Sequence, residues 1–312
     1  MSHKIATREA FGNALAEFGG DQRIVVLDAD LSKSTKTDSF KKVYPERFFN
    51  MGIAEGNMMS VAAGLATTGK VVFACSFAMF AALRACEQVR NSICYPKLNV
   101  KIGASHAGLT VGEDGASHQA IEDIAIMRAM PNMIIINPSD ATTMRAAVQA
   151  AIEIDGPVYL RLGRLPVDVI YEENVDFKVG KGIQLKDGKD VTIIATGLML
   201  GVTIEAVKTL TSEGISVRVI DMHTIKPIDK DIIIKAASET GAIVTAEEHN
   251  IIGGLGGAVA EVVAENCPVP VKRVGVMDVF GKSGKPDLLL EKYGLTSAKI
   301  VEAAKAAIAM KR

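Results

Sequence analysis

Tryptophan is absent from the 312-residue chain, and aromatic residues make up only 5% of it. Cysteine is also sparse, with four residues and no C-x-x-C pair, a pattern that argues against a disulfide framework and against a zinc site. The 35 Lys and Arg residues nearly balance the 36 Asp and Glu residues. A near-neutral chain without a basic cluster gives no electrostatic reason to bind nucleic acid or an anionic membrane.

No apolar stretch is long and unbroken enough to span a bilayer. The N-terminal segment MSHKIATREAFGNAL contains no apolar signal core. We therefore expect a soluble cytoplasmic protein whose thiols are reduced, namely Cys75, Cys86, Cys94 and Cys267. Hydrophobic residues form 48% of the chain, which is enough for a sizeable core in two domains.

Short apolar runs alternate with segments of helical periodicity, and this alternation predicts an α/β fold with parallel sheets covered by helices on both faces. The alternation stops in the polar stretch between about 166 and 190 and then resumes in a second, smaller unit. We predict a first domain over residues 1–170, a linker over 171–189 and a second α/β domain over 190–312.

Glu55 is the single charge in the apolar stretch FFNMGIAEGNMMSVAAGLATTG, residues 48–69. A carboxylate in the first turn of a helix interacts favourably with the helix dipole. A buried carboxylate can equally belong to a functional site. The residues of this stretch alone leave both interpretations open.

The Gly-rich loop 105–119 follows a predicted strand and carries His106, Glu113, Asp114 and His118. Ligands bind beyond the carboxyl ends of parallel strands, and these side chains have acid–base capacity. Their spacing matches no standard metal-ligand set. A polar surface loop without a function remains an alternative.

Two further segments have competing interpretations. Phe77 and Phe80, three positions apart, are either core residues or a stacking platform for a planar ring. The stretch GGLGGAV (253–259) has the spacing of a dinucleotide fingerprint, but no clean strand leads directly into it. A tight loop at a helix start is the favoured interpretation of these glycines.

Long ordered motifs of the chain resemble the C-terminal half of transketolase: NMGIAEGNMMSVAAGLATTG, CSFAMF, SHAGLTVGEDGASHQAIEDIAIMRAMPN, INPSDATTM and YLRLGRLP. The resemblance extends from Arg8 to near the C-terminus. It implies a pyrimidine-binding domain followed by a transketolase C-terminal domain. The G-D-G…N diphosphate motif of the family does not occur in this sequence, so the resemblance implies a separate subunit of a split transketolase that requires a partner chain.

The resemblance also implies thiamine diphosphate as cofactor, with Mg²⁺ bound mainly by the partner subunit. Glu55 matches the Glu that hydrogen-bonds to the aminopyrimidine ring and activates the cofactor. Leu83 stands where many transketolases have Tyr. Other positions that match cofactor-contacting residues are Asp30, Leu31, Phe77 and Phe80.

Substrate positions follow from the same resemblance. Arg8, Ser34 and Arg164 match phosphate-contacting residues, and guanidinium groups bind phosphate bidentately. Arg161 competes with Arg164 for this role. Asp114 matches the residue that recognises a donor hydroxyl, and His106 and His118 match residues that contact substrate oxygens and move protons.

The implied activity is transfer of a two-carbon ketol unit from a ketose phosphate to an aldose in the pentose phosphate pathway. A self-dimer that recruits two partner chains would form a heterotetramer. Alternatives that share the fold are a deoxyxylulose-phosphate synthase, a 2-oxoacid dehydrogenase beta subunit and an inactive regulatory paralogue. SHAG argues against the synthase, GEDGASHQ argues against the dehydrogenase subunit, and the four retained residues Glu55, His106, Asp114 and His118 argue against inactivity.

Overall fold

A computed structural model describes residues 4–311, which form three β-sheets surrounded by helices. The first three residues and Arg312, which belong to the predicted domain ranges, lie outside the described residues. In chain order the strands are β1 (Lys4–Ala6), β2 (Ile24–Asp28), β3 (Phe48–Asn50), β4 (Val71–Phe77), β5 (Val100–Ser105), β6 (Ile134–Ile136), β7 (Val158–Arg161), β8 (Pro166–Asp168), β9 (Ile183–Lys186), β10 (Val191–Ala195), β11 (Val217–Asp221), β12 (Thr224–Lys226), β13 (Ile243–Asn250) and β14 (Val271–Val276).

The helices account for most of the remaining regular structure. They are α1 (Thr7–Phe18), α2 (Ser32–Thr35), α3 (Asp38–Val43), α4 (Glu55–Ala66), α5 (Cys86–Gln88), α6 (Asp123–Ala129), α7 (Ala141–Glu153), α8 (Met199–Ser212), α9 (Lys230–Thr240), α10 (Leu255–Asn266), α11 (Pro286–Lys292) and α12 (Ser297–Ala309). Pro45–Arg47 and Leu109–Asp114 form 3-10 turns, and Phe80–Arg84 and Val89–Cys94 are π-helical.

The largest sheet has the strand order β12-β6-β7-β5-β4-β2-β3, with every pair parallel except β12 with β6. Alternate residues of β2 belong to the two hydrophobic cores on opposite faces of the sheet, because successive side chains of a strand point to opposite faces. Val25 and Leu27 pack with α4, whereas Ile24 and Val26 pack with α1 and α7. Burial of both faces explains why the strands consist of continuous apolar runs, as the sequence predicts.

The second sheet has the order β14-β13-β10-β11-β9 and is parallel except for β9. Its edge strand β9 lies within residues 171–189, the range assigned to a linker, and pairs antiparallel with β11. Helix α11, which is short and begins at Pro286, was not predicted from the residue pattern either. The α/β class with parallel sheets is confirmed.

The segment 80–95 is wound partly as π-helix. The amide of Ala85 bonds to the carbonyl of Phe80, and the amide of Tyr95 bonds to that of Arg90, so each bond spans five residues. Such turns are rare and occur frequently at functional sites. Here the wide turn places Arg84 beside Glu55.

The two halves of the chain share main-chain and charged contacts. Strand β12 of the second half extends the first sheet by pairing with β6. Arg161 and Asp123 form a buried ion pair next to β13, where the Arg161 guanidinium also donates to the carbonyl of Glu248. Of the helices within residues 4–311, none has both the length and the apolar character needed to cross a membrane.

Candidate active site

The carboxyl ends of four parallel strands, β2, β4, β5 and β7, meet at one edge of the first sheet. Polar or aromatic residues follow each strand, and parallel pairing brings these residues together. Ser34 follows β2, Phe77 ends β4, His106 follows β5 and Arg164 follows β7. The fold therefore gathers side chains that are up to about a hundred and thirty positions apart in sequence.

Glu55 is the first residue of α4, and only 1% of its surface is exposed. One carboxylate oxygen accepts a hydrogen bond from Ser76 Oγ at 3.0 Å, and the other accepts from the Arg84 guanidinium at 2.8 Å. A buried charge requires such partners. The Arg84 side chain is 49% exposed. The helix-dipole interpretation and the functional interpretation are thus both compatible with the position of Glu55.

Phe77, which directly follows Ser76, and Phe80 form a nearly parallel pair, with ring centroids 6.1 Å apart and an angle of 16° between the ring planes. The imidazole of His106 stacks on Phe77 at 3.9 Å. His118 meets Phe80 edge-on at 5.3 Å, and the Arg84 guanidinium lies 4.3 Å from the centroid of Phe80. The two Phe residues therefore contact charged and polar groups of the site in addition to the core.

His106 adopts a left-handed backbone conformation with φ 58°. Its Nε2 lies 3.3 Å from the Arg8 guanidinium, and its Nδ1 lies 2.8 Å from Ser105 Oγ. A guanidinium only donates, so Nε2 accepts and Nδ1 carries the hydrogen. Burial, with added repulsion from Arg8, Arg164 and His118, lowers the pKa of His106 to about 3. His106 is therefore neutral near pH 7, with a pKa well below that of an ordinary histidine.

Arg8 and Arg164 approach each other at the edge of the site. Arg8 donates to the carbonyl of Ser34 at 2.9 Å, and its buried Nε has no hydrogen-bond partner among the described residues. Burial lowers the pKa of Arg8, and the positive charge of Arg164 lowers it further. Arg164 donates to the carbonyl of Val111 and lies 3.4 Å from Glu113. Two adjacent cations with an unused donor favour binding of an anion.

Arg161 belongs to the protein interior. Its side chain is 4% exposed and donates to both carboxylate oxygens of Asp123, at 2.8 and 3.1 Å. It also donates to the carbonyls of Ala120 and Glu248. With Nε and Nη2 engaged and only 4% of its side chain exposed, Arg161 is held chiefly by the protein itself. This geometry favours Arg164 over Arg161 as the phosphate contact.

Asp114 and His118 lie in the loop after β5, part of which forms the 3-10 turn Leu109–Asp114. Asp114 is exposed at the end of this turn, and His118 is half-buried with its Nδ1 3.0 Å from Ser117 Oγ. Asp30 is exposed, has φ 65° and accepts from Asn50 Nδ2 at 2.7 Å. These residues form the outer part of the site.

Asp28 is a structural member of the site that the sequence analysis did not identify. Its buried carboxylate accepts from the amide of Leu31 at 2.6 Å and from the hydroxyls of Thr35 and Thr37 at 2.7 and 2.8 Å. These bonds hold the loop that carries Asp30, Leu31 and Ser34. An Asp at the end of a buried apolar strand was the available signal.

The glycines of GGLGGAV form a tight helix start, as the sequence analysis favoured. The carboxylate of Glu247 accepts from the amides of Leu255 and Gly256 at 2.6 and 2.8 Å. A Cβ on Gly254 would lie 2.0 Å from the Glu247 carboxylate. The protein's own carboxylate therefore occupies the position that a phosphate takes in a dinucleotide site.

Within the described range, no group of three or more His, Cys, Asp or Glu side chains is arranged to hold a metal ion. The donor set fits an aminopyrimidine. A buried carboxyl group can share a proton with a ring nitrogen, and the Phe77–Phe80 pair provides an apolar surface for a flat ring.

Two family models match the chain. The transketolase pyrimidine-binding domain matches residues 3–168, and the transketolase C-terminal domain matches residues 180–300. A solved structure described as a split gene transketolase, inactive beta4 tetramer, is 59% identical with a TM-score of 0.93 and covers 99% of this chain and 100% of its own.

Curated relatives agree with this match. A Methanocaldococcus jannaschii protein named as a transketolase C-terminal section is 54% identical over 95% of this chain and 94% of its own length. A 6-deoxy-6-sulfo-D-fructose transketolase subunit from a Clostridium species is 46% identical over 95% of this chain and 92% of its own length. The transketolase of Rattus norvegicus is 41% identical over 98% of this chain but only 49% of its own length. The chain belongs to the transketolase family and contains the pyrimidine-binding and C-terminal domains of that family.

Proposed function

We propose that this chain activates the cofactor and binds the substrate in a two-subunit transketolase that moves a two-carbon ketol unit from a ketose phosphate to an aldose. The observation that carries the proposal is the joint presence, at one sheet edge, of the buried Glu55 carboxylate, the Phe77–Phe80 pair and the Arg8–His106 contact. A separate partner would supply the diphosphate-binding domain. The match to about half of the rat enzyme supports this division.

Glu55 is the residue proposed to hold the aminopyrimidine of thiamine diphosphate through a ring nitrogen. Phe77 and Phe80 would flank the ring, and Asp30 and Leu31 would border the cofactor from the loop after β2. When bound, thiamine diphosphate supplies the electron sink that cleavage of a bond next to a carbonyl requires. In the same proposal, Mg²⁺ and the diphosphate belong mainly to the partner subunit.

Arg8 and Arg164 are proposed to bind the substrate phosphate, together with Ser34. His106 acts as a neutral group, because its pKa of about 3 leaves Nε2 free of a proton at pH 7. When Arg8 turns to a bound anion, Nε2 can accept a hydrogen bond from a substrate hydroxyl, whereas the low pKa makes it a weak acceptor of protons. Asp114 and His118, at the outer rim, are proposed to contact further substrate oxygens.

The assembly and its metabolic place are parts of the same proposal. Two copies of this chain would pair with two partner chains to give a heterotetramer, and the reaction would belong to the pentose phosphate pathway in the cytoplasm. The solved relative described as an inactive beta4 tetramer supports a self-associating chain that is incomplete by itself. The relative that acts on a sulfo-sugar shows that the substrate varies within this group of proteins.

Reconstitution tests the proposal directly. The purified chain is assayed alone and together with a candidate partner chain, with thiamine diphosphate, Mg²⁺, xylulose 5-phosphate and ribose 5-phosphate. We expect transfer only when both chains and the cofactor are present. Transfer by this chain alone would disprove the two-subunit assignment. Co-purification of the two chains without ketol transfer from any ketose phosphate would disprove the reaction.

A further inference from the structure

The loop that carries the outer site residues, residues 105–119 and here called the substrate loop, has little conformational constraint of its own. Gly108, Gly112 and Gly115 all have positive φ angles of 82°, 85° and 76°. Glycine loses more backbone freedom on ordering than any other residue. A loop with three such positions needs contacts from outside to hold one conformation.

Glu248 of β13 supplies such a contact from the second half of the chain. Its side chain is 5% exposed, and Oε1 accepts from the amide of Thr110 at 2.7 Å. Thr110 lies in the first turn of the 3-10 segment Leu109–Asp114, where amides lack partners within the turn. A Cβ on Gly108 would lie 2.3–2.6 Å from the Glu248 carboxyl group. The glycine therefore makes room for this carboxylate.

Glu248 is itself held in place. Its carbonyl accepts from Arg161 at 3.0 Å, and Arg161 is bound to Asp123 of α6. The carboxylate thus projects from a strand whose main chain is hydrogen-bonded to Arg161, which Asp123 holds in a buried ion pair. Because this anchor is buried and bonded, a bond from Glu248 fixes where the 3-10 turn begins.

Two further contacts hold the remainder of the substrate loop from the same side. Ser283 Oγ donates to the carbonyl of Glu113 at 2.6 Å, and Gln119 Nε2 donates to the carbonyl of Lys282 at 2.9 Å. Hydrogen bonds from the second half of the chain thus hold the loop at Thr110, Glu113 and Gln119. Asp114 lies between the second and third of these points.

We propose that Glu248 is a positioning residue that sets the conformation of the substrate loop and thereby places Asp114 and His118 at the rim of the active site. The second domain then acts as a clamp on a loop of the first. The positioning itself is independent of the reaction, whereas the role of Asp114 and His118 rests on the proposed function.

Hydrogen exchange of the full-length chain, followed by mass spectrometry, measures the clamp without any need for catalysis. In Glu248→Ala we expect amides of residues 109–114 to exchange at least about tenfold faster, because the Thr110 amide loses its acceptor. Peptides from β4 and β5 should keep their protection. Glu248→Gln retains an acceptor oxygen and should restore most of the protection in the loop.

Glu247→Ala is the matched control, because Glu247 is 1% exposed on the same strand but bonds to the start of α10. It should accelerate exchange in α10 and leave residues 109–114 unchanged. Gly108→Ala is a second probe, since the added methyl group displaces the Glu248 carboxylate while its charge is kept. It should loosen the same loop.

Unchanged loop exchange in both Glu248→Ala and Gly108→Ala would overturn the proposal, as would an equal acceleration in β4, β5 and the loop.

In the assembled enzyme, Glu248→Ala should raise KM for the ketose phosphate several-fold, with Glu248→Gln close to the parent. Loosened loop amides together with unchanged KM and kcat would also overturn it. Loosening of the loop in these variants, in a complex that never transfers a ketol unit, would instead disprove the proposed function and leave the positioning role of Glu248 supported.

Discussion

The carboxylate of Glu55 shows how position and burial act on one residue. The start of α4 favours a negative charge, while burial requires that the charge be paired, and Ser76 and Arg84 meet this requirement. Sequence inspection found the charge in its apolar stretch but not its partners. Arg84 becomes a neighbour only through the π-helical turn, which the residue pattern does not predict.

Glu55→Gln tests the role of this carboxylate. The amide keeps the shape and can still accept from Ser76, but it carries no charge and cannot hold a proton. We expect ketol transfer by the assembled enzyme to fall by about a hundredfold or more, with little change in thermal unfolding because Arg84 is half exposed and can be solvated.

Glu205→Gln is the control for this substitution, since Glu205 is an exposed residue of α8 that pairs with Lys208. It should leave transfer and the unfolding temperature nearly unchanged. A Glu55→Gln enzyme with a near-normal rate would assign Glu55 to stabilisation of the helix alone.

At the level of elements, close approach of α1 to the loop after β2 shapes the phosphate side of the site. Gly12 lies in the middle of α1, and a Cβ there would be 2.3 Å from the carbonyl oxygen of Lys36. Only glycine permits this distance. The approach brings Arg8, one turn earlier on α1, to the carbonyl of Ser34.

Gly12→Ala should therefore destabilise the protein although alanine is the better helix former. The helix preference favours alanine by about 1 kcal/mol, but overpacking against a main-chain carbonyl typically costs about 1–3 kcal/mol. We expect a net loss in the free energy of unfolding, measured with urea, and a raised KM for the phosphorylated substrate.

Gly64→Ala in α4 provides the comparison, because among residues 4–311 its added Cβ meets no atom within 4 Å apart from its chain neighbours and the backbone of its own helix. It should stabilise the isolated chain by about 0.5–1 kcal/mol. Equal effects of the two substitutions would show that helix preference, and not the contact with Lys36, determines the outcome.

At the level of the whole molecule, buried titratable groups make stability depend on pH. Burial lowers the pKa of His223 and of His249 to about 4 each and raises that of Asp221 and of Glu247 to about 7 each. Between about pH 4 and 6.5 the unfolded chain binds more protons at these histidines, so their contribution to stability falls as the pH falls. The carboxyl groups act in the opposite direction over a similar range, because the folded chain keeps their protons.

His223→Gln isolates one of these contributions. His223 is fully buried against Phe177, with ring centroids 4.0 Å apart. The loss of unfolding free energy between pH 7 and pH 5 should be smaller in the variant than in the parent, by up to about 1.4 kcal/mol for each pH unit below 6.5. Urea titrations at both pH values measure this difference, and identical losses in the two proteins would contradict it.

The sequence by itself determined the α/β class, because strands buried on both faces must be continuous apolar runs and their helices must be periodic. It also indicated candidate site residues, because chemically capable side chains follow successive strands, and their roles stay predictions. The edge strand β9 and the helix α11 were not predicted, because both are short and polar residues flank them in the sequence.

Only the tertiary structure decided what each candidate experiences. Arg161 and Arg164 are the same residue type three positions apart. The Arg161 side chain is buried against Asp123, whereas the Arg164 side chain is partly exposed beside Arg8. The pKa of His106 is lowered because its ring is buried and because Arg8 and Arg164 lie nearby. Glu248 accepts a hydrogen bond from Thr110, which is 138 positions away in the sequence. Burial, charge and contact all arise from residues that are distant in the chain, so no local pattern of the sequence could encode them.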